Sequence, residues 1–313
     1  MAMGILRGAM EGSRLRGVLA VPGTAVEIPY TDLRGATDGP TLLVSGGVHG
    51  GEYPGIAAAI ELARTLDPAS LRGRVIVLHL TNPPAFWAKS QYYTPLDGKN
   101  LNRCFPGDAE GTASERIAAR VIGVLHEANA WIDMHGGDIH EELVPFTIFS
   151  DRGQDDVRSR AAEMAAAYGI PRLVRSASVA GGSYAAAAEL GVPAILPEAG
   201  QGGELDPVSQ AIHVHGVQNV LRALGMLPGG PPPKPDPTVY TRFVWRRAPE
   251  AGLWRPRVHP GTTVSAGEVA GVLHDAYGDT LHEVRSPERG EVLFTARSLA
   301  IGEDDPLFAV AAP

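Results

Sequence analysis

Apolar residues in the first two thirds of the chain come in short, nearly unbroken runs: TLLVS (41–45), VIVLHL (75–80), WIDM (131–134), FTIF (146–149) and AIL (194–196). Runs of this length without polar alternation predict strands buried on both faces. Between them lie longer stretches with helical character, at 55–66, 114–129, 155–168, 183–190 and 207–224. Strands alternating with helices predict an α/β layer fold. The pattern then breaks at LPGGPPPKPDP (227–237), too rich in Pro and Gly for helix or central strand, which reads as a semi-rigid linker. Beyond it, short β-like pieces are punctuated at Pro260-Gly261, Ala266-Gly267, Gly278-Asp279, Arg289-Gly290 and Ile301-Gly302. That spacing predicts a small all-β barrel or sandwich. The expected organisation is a main domain at 1–226, the linker at 227–237 and a β-rich domain at 238–313, in keeping with a length of 313 residues.

Charge narrows the partners. With 27 Lys+Arg against 35 Asp+Glu the formal net charge is −8, which argues against a broad basic surface for nucleic acid. No apolar run approaches the ~18 residues that span a bilayer. The opening MAMGILRGAMEGSRLRG interrupts its apolar residues with Gly and Arg and offers no signal-peptide core. Cys104 is the only cysteine, so intrachain disulfides and Cys-rich zinc modules are excluded. The expectation is a soluble cytoplasmic protein with no nucleic-acid or membrane partner; a homo-oligomer stays open.

Four segments carry residues fit for chemistry. GGVHGGEYPG (46–55) follows the strand TLLVS and sets His49 and Glu52 three apart in a glycine-rich loop. Such a loop can fold an imidazole and a carboxylate onto one divalent ion; an ordinary strand-to-helix turn, with Glu52 near a helix N-terminus, fits as well. WIDMHGGD (131–138) puts His135 at the end of another strand, with Asp133 on the same strand face as a partner for the ring. A lone histidine there is commonly structural, but its position matches that of His49. LDGKNLNRCFPG (96–107) sets Asn102 beside Arg103, a pair suited to a carboxylate, or else a surface loop with a salt-bridged arginine. AILPEAGQGG (194–203) ends a strand on Glu198, either solvated or placed for proton transfer. All four groups fall beyond carboxyl ends of expected strands, where open α/β sheets place ligand crevices. Two histidines and a glutamate match hydrolytic zinc sites that keep one position open for water.

The order His49-x-x-Glu52, Asn102-Arg103, His135, Glu198 resembles the succinylglutamate desuccinylase/aspartoacylase family, a branch of the zinc carboxypeptidase-like hydrolases. The resemblance extends over VEIPYTDLRGATDGPTLLVSGGVHGGEYPG, NPPAFW, LDGKNLNRCFPG and the β-rich C-terminal region. It implies a mixed sheet flanked by helices, with a barrel-like β domain closing over the cleft. It further implies one Zn2+ per chain, held by His49, Glu52 and His135, with Asn102 and Arg103 holding the substrate carboxylate and Glu198 activating the zinc-bound water. The implied reaction removes the acyl group from a small N-acyl amino acid. The LDGKNLNRCFPG form is similar to bacterial members that include N-acetyl-diaminobutyrate deacetylases.

The chain also departs from the pattern. Where many members carry a carbonyl-polarising arginine, SQYYTPLDG offers Gln91, Tyr92 and Tyr93. Tyr92 is the expected substrate-binding donor there, with Lys89 or Arg175 as other recruits. No second arginine shortly precedes Glu198, which tilts the expectation toward monocarboxylates such as N-acetyl amino acids. His79 is expected in the core of its strand, and His126, His213 and His215 in helices. No lysine follows Lys234, which excludes covalent lipoyl or biotin attachment in the β-rich part. Two other readings use the same residues: a metallocarboxypeptidase acting on peptides, and a non-catalytic metal- or ligand-binding protein on the same scaffold.

Overall fold

In the computed structural model, which describes residues 6, 9–176, 179–230 and 236–313, the chain first forms β1 (Ser13–Ala20), β2 (Glu27–Arg34), β3 (Thr37–Gly46), α1 (Tyr53–Thr65), β4 (Arg72–Leu78), α2 (Pro83–Ala88) and α3 (Ala113–Leu125). It continues with β5 (Ala130–Met134), β6 (Glu141–Leu143), β7 (Phe146–Ser150), α4 (Asp155–Tyr168), β8 (Arg172–Ser176), α5 (Ser183–Glu189), β9 (Ala194–Glu198) and α6 (Pro207–Ala223). The main sheet runs β1-β2-β4-β3-β5-β9-β7-β8, with a ninth strand, β10 (Thr238–Tyr240), on the β8 edge. Its pairings are mixed: β4-β3, β3-β5 and β5-β9 are parallel, whereas β1-β2, β2-β4 and β7-β9 are antiparallel.

Side chains explain why the central strands are apolar throughout. Successive residues of β4 point to opposite faces, Val75 and Val77 joining the core under α1, α4 and α6, and Ile76 and Leu78 the core under α3 and α5. A sheet covered on both sides leaves no polar alternation. The flanking hairpin is different. In β1 exposed and half-buried residues alternate, so its sequence lacks the run that marks the centre. Two expectations shift at their ends. β4 stops at Leu78, leaving His79 just past the strand, half-buried, with Nε2 2.8 Å from Thr31 Oγ1. Burial, with Arg16 nearby, pulls that imidazole down to about 4. The helix expected over 114–129 ends at Leu125 with His126 as its cap, because the chain must turn into β5.

The C-terminal strands are β11 (Arg242–Arg247), β12 (Gly252–Pro256), β13 (Thr263–Val264), β14 (Val269–His274), β15 (Thr280–Arg285), β16 (Gly290–Ala296), β17 (Ala300–Ile301) and β18 (Pro306–Ala312). They form two antiparallel sheets, β11-β18-β16-β13 and β15-β14-β12-β17, around Trp254, Leu273 and Phe308. Of the expected linker, 231–235, including Lys234, lie outside the described residues. Strand pairing connects the two parts on both sides of that linker: β10 adds to β8, and β6 pairs antiparallel with β16.

The loop 47–52 runs hard against α2. A Cβ on Gly50 would stand 2.3 Å from Phe86 N and 2.4 Å from the Ala85 carbonyl carbon. Backbone cannot yield as a flexible side chain can. Gly50→Ala is therefore expected to destabilise the fold by about 1–3 kcal/mol or more, read by urea denaturation; a change within experimental error would refute this contact.

Candidate active site

Three adjacent parallel strands, β3, β5 and β9, end along one edge of the sheet and deliver the site. His49 lies in the loop after β3, and Glu52 is the residue that starts α1. Its side chain makes no capping bond to that helix and turns instead to the histidines. His135 follows β5 and bridges to Glu198, the last residue of β9. One donor atom from each of His49, Glu52 and His135 lies within 4.8 Å of the others. The rings meet edge-on, with centroids 5.0 Å apart.

Each imidazole is oriented from behind. His49 Nε2 lies 3.1 Å from Asn100 Oδ1, and His135 Nε2 lies 3.0 Å from Asp133 Oδ2. Asp133 in turn accepts from Ser45 Oγ at 2.6 Å, and Ser45 accepts from Trp131 Nε1 at 2.8 Å. Because amide and carboxylate oxygens only accept, both rings carry a proton on Nε2. Both Nδ1 atoms then face Glu52, at 2.6 Å from Oε1 for His49 and 2.9 Å from Oε2 for His135. Outer partners that fix tautomer and ring angle are the usual support of metal-binding histidines.

The electrostatics fit a cation. Burial works against a charged Glu52, but His135 and His49 override it and hold the carboxyl down at about 2. Its Oε2 is buried and receives no aligned hydrogen bond. The Nδ1 atom of each ring and the Glu52 carboxylate, all aimed at one point, form the donor set of a divalent metal. Zinc fits these residues. At Glu198 burial pushes the carboxyl well above the ordinary range, with Glu52 and Asp133 adding and His135 opposing.

Asn102 and Arg103 sit in a short 3₁₀ turn, Leu101–Arg103. Asn102 Oδ1 accepts from Ser183 N at 2.8 Å, at the start of α5, so the amide NH2 is left for a ligand. Arg103 Nη1 donates to the Asn102 carbonyl at 2.6 Å, and among the described residues its guanidinium has no carboxylate partner. Burial and Arg247 lower its pKa. Arg247 comes from β11 and was not visible as a neighbour in sequence.

Tyr92 stands at the site. Its ring meets His49 edge-on at 5.7 Å, its φ is +59°, and its N–H donates to Asp138 Oδ2 at 2.9 Å. Asp138 is fully buried, and burial with the Glu52 charge raises its carboxyl to about 7. Gly51 is what lets it fit, since a Cβ there would meet Asp138 Oδ1 at 1.9 Å. Lys89 and Arg175 are exposed, and among the described residues neither shows a contact with the cluster. Cys104 is half-buried, with Sγ 3.3 Å from the Asn100 carbonyl; burial raises its thiol, as suits packing under the loop. Tyr277 is 93% exposed in the β14–β15 turn. A cavity of about 250 Å³ opens between Gln91, Tyr92, Tyr93 and the C-terminal strands, with Glu141 and Asp305 in its lining and no lysine or arginine among the described residues there.

A sequence model of the succinylglutamate desuccinylase/aspartoacylase catalytic domain matches residues 38–224. The chain belongs to this family. An N-alpha-acetyl-L-2,4-diaminobutyric acid deacetylase of Halomonas elongata is 33% identical over 258 residues, 80% of this chain and 75% of that protein. Two solved relatives cover 100% of this chain and 98% of their own. They are the product-bound ectoine utilization protein EutE (DoeB) of Ruegeria pomeroyi, with TM-score 0.87 and 28% identity, and a succinylglutamate desuccinylase/aspartoacylase from Rhodobacter sphaeroides, with 0.83 and 29%. The mixed sheet with added antiparallel C-terminal strands is thus the fold of the family. Among the described residues no helix is long and apolar enough to cross a membrane.

Removing the partner behind His135 tests the arrangement. Asp133→Ala is expected to weaken zinc binding about 10- to 100-fold, measured by competition with a chromogenic chelator; unaltered affinity would mean that the ring needs no such support.

Proposed function

We propose that this chain is a zinc-dependent cytoplasmic amidohydrolase that removes the acyl group from a small N-acyl amino acid. The observation that carries the reading is the convergence of two Nδ1 atoms and the Glu52 carboxylate on one point, with Glu198 alongside on the next strand. His49, Glu52 and His135 would hold one zinc ion per chain. Bound there, zinc would supply the Lewis acidity that brings a water toward deprotonation near neutral pH.

Glu198 takes the proton of the attacking water and returns it to the departing amine, a role favoured by a carboxyl whose pKa burial has raised toward that of its task. Arg103 and the free amide of Asn102 hold the substrate carboxylate, so the scissile carbonyl is oriented before attack. Tyr92, at the His49 ring, is the donor we assign to the carbonyl oxygen in place of an arginine. N-alpha-acetyl-L-2,4-diaminobutyrate is the first substrate to try. The name of the Halomonas relative supports it, and the cavity lining sets Asp305 against an amine-bearing side chain, with no lysine or arginine among the described residues there.

Elemental mass spectrometry of purified protein is expected to find close to one zinc per chain, with turnover of the acetylated substrate; no bound zinc after reconstitution would sink the reading. Glu198→Gln should keep the metal while kcat falls about 100- to 10,000-fold. Arg103→Ala should act mainly on KM, and a KM equal to that of the parent would count against the carboxylate role.

A further inference from the structure

On the side of the sheet opposite α3 and α5, a second buried hydrogen-bonded chain ends on the peptide that follows Glu198. His213, in the middle of α6, is fully buried. Its Nε2 lies 3.1 Å from the Ala199 carbonyl oxygen, and its Nδ1 lies 2.8 Å from the hydroxyl of Tyr168, the last residue of α4. A carbonyl only accepts, so Nε2 carries the proton, and Nδ1 accepts from the Tyr168 hydroxyl. Gly216, one turn along α6, admits the Tyr168 ring, since a Cβ there would stand 2.3 Å from it.

The Ala199 carbonyl needs that donor because the ladder slips beside it. His135 N donates to Pro197 O, and Ala199 N donates back to His135 O, as in a regular parallel pair. The next bond of that pattern would run from Gly137 N to Ala199 O. It runs to Gly200 O at 2.8 Å instead, and Gly200 takes a φ of +112°. The ladder therefore gains a residue immediately after Glu198, and among the described residues the Ala199 carbonyl has no backbone donor. Irregularities of this kind re-aim side chains beside active sites. A core filled by leucine at 213 would pack, but it would leave this buried carbonyl unpaired.

We propose that His213, steadied by Tyr168, is a positioning residue for Glu198, holding the slipped Ala199–Gly200 peptide that sets where the carboxylate stands. The kinetic part rests on the proposed role of Glu198; the geometric part does not. Misplacement of a proton-transfer group is expensive in rate, whereas His49, Glu52 and the Arg103 turn stand on other segments, and the His135 ring, whose carbonyl accepts from the Ala199 amide, is held separately by Asp133.

The test compares His213→Leu, His213→Gln and Tyr168→Phe in the zinc-loaded protein. His213→Leu should retain zinc and a KM within about twofold of the parent while kcat falls about 10- to 100-fold. His213→Gln, whose amide can still donate from the place of Nε2, should recover most of that loss. Tyr168→Phe should lose about fivefold in kcat, and it carries the comparison if the leucine variant does not fold. Hydrogen exchange at the Ala199 amide should quicken in His213→Leu and Tyr168→Phe and return toward parental rates in His213→Gln. A lower melting temperature with parental kcat and Ala199 exchange would overturn the proposal, as would a glutamine variant no better than leucine. If the parent cleaves no acylated amino acid, the proposed function fails, and exchange at Ala199 alone decides the slipped peptide.

Discussion

A carboxylate buried between two imidazoles and short of one hydrogen bond is an expensive thing to place inside a protein. Around Glu52 the cost is met by rigidity. Its two neighbours cannot turn away, because Asn100 and the Asp133–Ser45–Trp131 chain hold their far nitrogens. Those holders are themselves anchored in β3 and β5, paired so that Ser45 faces Asp133 across the ladder. The glycines of the loop let this arrangement close against α2 and Asp138 without side chains in the way. Most of what makes the edge of the sheet unusual follows from keeping that one oxygen pair in place.

The gathering of His49, Glu52 and His135 was legible because their chemistry is written in residue type: histidine and glutamate after apolar strands have few other reasons to come together. Their supports were legible only in part. Asp133 shows through strand periodicity, two residues from His135. Asn100 does not, since an asparagine in LDGKNLNR reads as turn material and its partner lies 51 positions away. His213 reads as one more helical residue until its contacts with Tyr168 and Ala199, 45 and 14 positions away, are seen. The same limit governs the fold. The central strands declared themselves by lacking polar residues, whereas β1, alternately exposed and half-buried at the sheet edge, β2, whose buried positions include Thr31 and Asp32, and α2, a single short turn opening on two prolines, carry no such mark.

The chain around Tyr92 departs from the expected sequence, and its backbone departs with it, taking a left-handed conformation tied to a buried aspartate. A side chain held in such a conformation costs free energy that only the surrounding contacts can supply. Gly51, Asp138 and the 91–93 segment therefore behave as one unit, and a change at any of them reaches the other two.

The β6–β16 pairing has a consequence for how anything enters. Glu141 pairs with Ala296 and Leu143 with Phe294, so one wall of the cavity is stitched to the C-terminal sheet by main-chain bonds rather than by side chains alone. Swinging that sheet outward would break a backbone ladder and expose the buried Leu143 and Phe294. The aperture is thus set when the chain folds. Tyr93 and His140 line that cavity as well, so its width follows from a covalently continuous, hydrogen-bonded frame, closer to a fixed sieve than to a hinged door.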